Sequence, residues 1–84
     1  MPLPNQPVTL TAGQINELNG KLSAMRHDIN NHLSLIVAAV ELIRCKPETA
    51  ERMMTTLVEQ PPRIDKALQG FSAEFERALD ITHP

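Results

Sequence analysis

Eighty-four residues with a formal net charge of −2 make one small domain or one protomer of an assembly, and they offer no electrostatic case for binding nucleic acid or an anionic membrane. There is no Trp and no Tyr, and only Phe71 and Phe75 supply aromatic bulk, so the chain buries too little apolar surface to be comfortable alone. A single Cys45 excludes an internal disulfide and a paired-cysteine zinc site.

The N-terminal MPLPNQPVTL has neither the basic region nor the apolar run of a signal peptide. With no stretch approaching the roughly 20 apolar residues of a membrane span, the expected compartment is a reducing cytoplasm, without membrane contact by this segment. Residues 1–10 contain three prolines and little periodicity, and read as an arm or linker. Thr11 followed by Gln14 fits a capping box, in which hydroxyl and amide satisfy backbone N–H groups of a first helical turn. Apolar residues then recur at Ile15, Leu18, Leu22, Met25, Ile29, Leu33, Ile36, Val40 and Ile43. Those steps of three and four predict an amphipathic first helix over about 11–45, with Arg44 and Lys46 where cations favour a helix C-terminus.

CKPE breaks the run. Pro47, with Glu48 and Glu51 following, suits the first turn of a second helix over about 47–80. Its expected seam is Met54, Leu57, Pro61, Ile64, Leu68, Phe71 and Phe75, a heptad spacing typical of bundle packing. The prolines of QPPR interrupt the composition but not the phase, which predicts one kinked helix rather than two. Residues 81–84 are left as a tail, and His83 within it is assigned no role. The expected fold is therefore all-α: a long antiparallel helical hairpin over 11–80, dimerising into a four-helix bundle, because one hairpin cannot enclose a core and a twofold homodimer supplies the missing half.

MRHDINNHLSLI, residues 25–36, gathers two histidines, an aspartate and two asparagines inside the first helix, where propensity gives them no reason to cluster. With Ile15, Leu22, Ile29 and Ile36 at heptad position a, His32 falls at d on the seam. His27 falls at f on the solvent side, with Asp28 beside the seam and Asn31 one turn on from His27. An imidazole that takes a phosphoryl group needs one ring nitrogen unprotonated and accessible, and a neighbouring carboxylate orients the ring or takes up a proton. His27, Asp28 and Asn31 supply that set. Metal binding fits less well. The two histidines are five residues apart, which turns them about 140° from one another, whereas zinc-binding helices space theirs by four.

RHDINNHLSLI resembles the H-box of the dimerisation and histidine-phosphotransfer (DHp, HisKA-like) domain of sensor histidine kinases: His, then Glu or Asp, two variable residues, then Asn or Thr. His27, Asp28 and Asn31 match those positions, and LSLIVAAVELI is similar to the remainder of that family's first helix. The likeness covers roughly residues 11–80 and extends to the sporulation phosphotransferases. It departs at His32, where many members carry proline. The resemblance implies that His27 is the phosphoacceptor in two-component signalling, Asp28 the assisting base, and Asn31 the residue orienting water or phosphate. It implies a homodimer that meets an ATP-binding kinase domain, in cis or trans, and then the aspartate of a response-regulator receiver domain. ATP and Mg would bind only that separate kinase domain, since Gly13, Gly20 and Gly70 are scattered and form no nucleotide loop. The expected receiver-docking positions are Ser34, Ala38 and Glu41, with Thr55 and Thr56 opposite.

Rival readings are plainer. His27 as an ordinary surface histidine, and His32 as a satisfied seam histidine, would leave a non-catalytic helical dimerisation module. A kinase fragment that has lost its partner is a third reading. A monomeric phosphotransfer domain is excluded, because it needs four helices in one chain and a Lys-Gly pair soon after the histidine.

Overall fold

The computed structural model describes residues 5–79; residues 1–4 of the expected arm, the tail with His83, and the expected last helical residue Asp80 lie outside them. Helix α1 spans Ala12–Cys45 and helix α2 spans Ala50–Leu79, joined by a 3₁₀ turn at Pro47–Thr49. Thr11 caps α1 as its sequence predicts. The Gln14 N–H donates to Thr11 Oγ1 at 3.1 Å, and the Thr11 N–H donates to Gln14 Oε1 at 2.8 Å, so two donors of the first turn are satisfied reciprocally.

The reversal between the helices is built from Lys46 and Thr49. The Lys46 N–H donates to the Leu42 carbonyl at 2.7 Å and closes α1, while the Thr49 N–H donates back to the Lys46 carbonyl at 2.9 Å. The Thr49 hydroxyl, buried in the turn, donates to the same Lys46 carbonyl at 2.8 Å. Pro47 opens the turn, where its missing N–H removes no helical bond. Pro61 and Pro62 lie inside α2 without ending it. The carbonyls of Leu57 and Val58 thereby lose their backbone donors four residues on, which marks this turn as the weak point of α2.

The two helices form a layer one helix thick, its thinnest dimension 13 Å against about 10–12 Å for a single helix with side chains. Such a layer has no enclosed core: among the described residues Ala39 is the one fully buried apolar side chain. Leu18, Leu22, Met25, Ile29 and Ile36 of α1 are half-buried against Met53, Leu57, Ile64, Phe71 and Phe75 of α2. Phe71 and Phe75 contact each other with ring centroids 6.1 Å apart.

One part of the expected seam is corrected. Met54 is 53 % exposed, and Pro61 and Leu68 are exposed as well. The residues turned towards α1 are instead Met53, Gln60 and Ala67, one position earlier in each case. Ile15, Leu33 and Val40 of α1, all in the expected apolar run, are also exposed, at 53 %, 47 % and 41 %. The apolar arc on each helix is wider than one seam, and the hairpin partner covers only part of it.

What it leaves open is densest towards the turn, at Leu33, Val37, Val40, Met54 and Val58, with Ile15 and Leu68 further along the same face beyond Arg26, Asn30 and Asp65. Ile15, Leu33, Val37 and Val40 on α1, and Met54, Val58 and Leu68 on α2, are all exposed. At about 100° per residue, each set lies roughly a quarter-turn round from the side facing the other helix, in the same rotational sense. Because the helices run antiparallel, both stripes fall on one face of the layer. The opposite face carries the polar groove residues Asp28 and His32 on α1 and Arg63 and Lys66 on α2, with Leu35, 44 % exposed, two turns on from Asp28.

Candidate functional site

All of the polar block folds as α1, so its geometry follows from helical rotation. His27 lies about half a turn from the line of Leu22, Ile29 and Ile36, and is exposed on the side away from α2. Asn31, one turn further on, places Nδ2 3.5 Å from His27 Nδ1. In this amide orientation Asn31 donates, Nδ1 accepts, and the neutral ring carries its proton on Nε2. Turning the amide over would put Oδ1 against Nδ1–H and leave Nε2 as the lone-pair nitrogen. The long contact and exposed setting allow both, so Asn31 steers this imidazole without locking its tautomer.

Asp28 goes elsewhere. It lies about 100° round from His27, and it shares a groove with His32, Arg63, Lys66 and Ala67. The structure thus brings His27 and Asn31 together and sets Asp28 on the adjoining face. Ser34, Ala38 and Glu41 are exposed and continue the outward line of His27 and Asn31 at helical spacing. Thr55 is exposed, whereas Thr56 is half-buried and its carbonyl accepts a bond from the Gln60 amide.

A side-chain hydrogen bond crosses between the helices at His32. Its Nδ1 lies 2.8 Å from Gln60 Oε1, and Gln60 Nε2 donates to the Thr56 carbonyl at 2.9 Å. Gln60 is only 2 % exposed. Because its nitrogen is committed to a carbonyl, its oxygen is what meets His32, and an amide oxygen only accepts. His32 Nδ1 therefore carries a proton, and Nε2 is the lone-pair nitrogen of the neutral ring. The sequence reading of His32 as a seam histidine fits this partner. Gln60 itself escaped that reading, because a glutamine beside two prolines looks like part of a break and not part of a core.

No buried side-chain nitrogen or oxygen among the described residues lacks a partner. The ion pairs Glu41–Arg44 at 3.1 Å, Glu59–Arg63 at 2.9 Å and Glu74–Arg77 at 2.7 Å are exposed and local, and pairs of that kind contribute a few tenths of a kcal/mol each, on the order of 0.3–0.5. Among the described residues, no three His, Cys, Asp or Glu side chains converge as a metal site would require, and no helix is long and apolar enough to cross a membrane. No family model, curated protein or solved structure matches the chain.

Proposed function

We propose that the chain is the phosphoacceptor and dimerisation domain of a two-component signalling histidine kinase or phosphotransferase, working in the cytoplasm. His27 carries the phosphoryl group between a separate ATP-binding kinase domain and a receiver aspartate. The observation that carries the reading is the exposed His27 imidazole on a rigid helix, with the Asn31 amide 3.5 Å from Nδ1. The lone pair of His27 attacks the terminal phosphorus of ATP held by that separate domain, the P–O bond to ADP breaks, and the ring proton passes to water. Asp28, the assisting base of this reading, lies on the adjoining helix face rather than against the ring. Asn31 orients the ring, and in the reverse direction it holds a phosphoryl oxygen or a water. Phosphoryl transfer depends mainly on positioning and electrostatic stabilisation, so a stiff rod with few moving parts suits it.

The uncovered apolar face supports a homodimer. Two hairpins joined through Leu33, Val37, Val40, Met54 and Val58 would bury what one leaves exposed, and would leave His27 on the rim of a four-helix bundle. Ser34, Ala38 and Glu41, on the same outward line, are the receiver-docking positions in this reading. The same apolar face equally favours a non-catalytic dimerisation module, and oligomeric state does not separate the two. The chemistry of His27 does. Treating the chain with phosphoramidate and locating the acid-labile phosphoryl group tests the reading directly.

A further inference from the structure

The polar groove on the face opposite the apolar stripes contains a second imidazole with better-defined chemistry than the first. His32 is half-buried and lines this groove with Asp28, Arg63, Lys66 and Ala67. Its Nδ1–H is held by Gln60 Oε1 at 2.8 Å, and Gln60 is itself fixed by the Thr56 carbonyl. Such a bond selects the tautomer and ring orientation and leaves the other nitrogen as the reactive one. Two cations of α2 stand in the same groove as one carboxylate. Arg63 uses Nη2 on Glu59 and has further N–H donors, and Lys66 makes no ion pair among the described residues.

We infer that His32 is a second phosphoacceptor, its Nε2 taking a phosphoryl group whose oxygens are met by Arg63 and Lys66. The class of ligand is a small phosphoryl donor or an exposed phosphoryl group that reaches the groove. With phosphoramidate the step balances as follows. The Nε2 lone pair forms the new N–P bond, the donor's P–N bond breaks, and ammonia leaves with the bonding pair. The ring retains Nδ1–H against Gln60 and carries the positive charge until it passes a proton to water. A guanidinium and an ammonium offset the charge of the phosphoryl oxygens, while a buried amide acceptor stabilises the imidazolium-like ring. The inference concerns a different residue from the His27 reading, but both place phosphohistidine chemistry on this hairpin.

The test is phosphoramidate treatment of the full chain and of three variants, followed by intact mass, acid lability and fragmentation that locates the group. His27→Ala alters an exposed side chain and is expected to retain one acid-labile phosphoryl group, on His32 and on Nε2. Arg63→Ala with Lys66→Ala in the His27→Ala background is expected to slow that modification about tenfold or more. His32→Ala is expected to leave the His27 group only, with circular dichroism confirming that the helices persist. Complete loss in His27→Ala would overturn the His32 inference and leave the His27 reading standing. Loss in His32→Ala with none in His27→Ala would sustain the inference and overturn the other. A wild-type chain that takes up no phosphoryl group would overturn the inference.

Discussion

His32 on α1 and Gln60 on α2 join the two helices through a hydrogen bond of 2.8 Å between a half-buried ring and a buried amide. The bond falls one residue before the paired prolines, so it pins α2 to α1 where the α2 backbone has lost two of its own bonds. Gln60→Ala removes the acceptor and leaves the His32 N–H to find water in a half-closed site, at a cost of about 1–3 kcal/mol. Urea unfolding of Gln60→Ala, His32→Ala and the double variant is expected to give a coupling energy of about 0.5–3 kcal/mol. Strict additivity would show that the contact does not link the helices energetically.

Pro61 is exposed inside α2, and its ring deprives the Leu57 carbonyl of a donor. Pro61→Ala restores an N–H and is expected to stabilise the hairpin by up to about 3 kcal/mol, read as a higher thermal midpoint. An unchanged or lower midpoint would mean that the surrounding packing depends on the proline ring.

The capping box at Thr11 and Gln14 is local and exposed, so its loss reports on α1 alone. Thr11→Ala is expected to cost about 1 kcal/mol and to increase amide exchange in the first turn of α1. Phosphorylation of His27, about four turns further along, is expected to proceed at an unchanged rate.

Val37 and Val58 are 62 % and 69 % exposed, and lie on the same face towards the Pro47–Thr49 turn of the hairpin. Val37→Glu and Val58→Glu would place charges at the centre of the proposed dimer interface. Sedimentation equilibrium is expected to show a dimer for the parent chain and a monomer for the variants. A monomeric parent chain would remove the four-helix bundle from the account.

The hairpin was legible because its signals are local. The three-and-four spacing of Ile15 to Ile43, the Thr11 and Gln14 pair, and Pro47 at a turn each act within a few residues. The face of α2 was harder, since Met53 and Met54 are adjacent, and a pattern of apolar residues does not say which of two neighbouring stripes meets the hairpin partner. Both carry apolar residues here because the hairpin covers only part of each helix. His27 as an exposed residue, and Asn31 one turn on, follow from helical spacing alone. The placing of Asp28 with His32, and of Arg63 and Lys66 across from them, depends on the register between two helices, which Thr49 and the Gln60 bond set and no single-helix pattern contains.

The most direct measurement is to treat the chain with phosphoramidate and locate the phosphoryl group by fragmentation between His27 and His32. The account predicts an acid-labile phosphoryl group on His27, absent from the His27→Ala chain at that position and formed more slowly in Asn31→Ala. A folded chain whose His27 stays unmodified while phosphoryl groups appear elsewhere would contradict it.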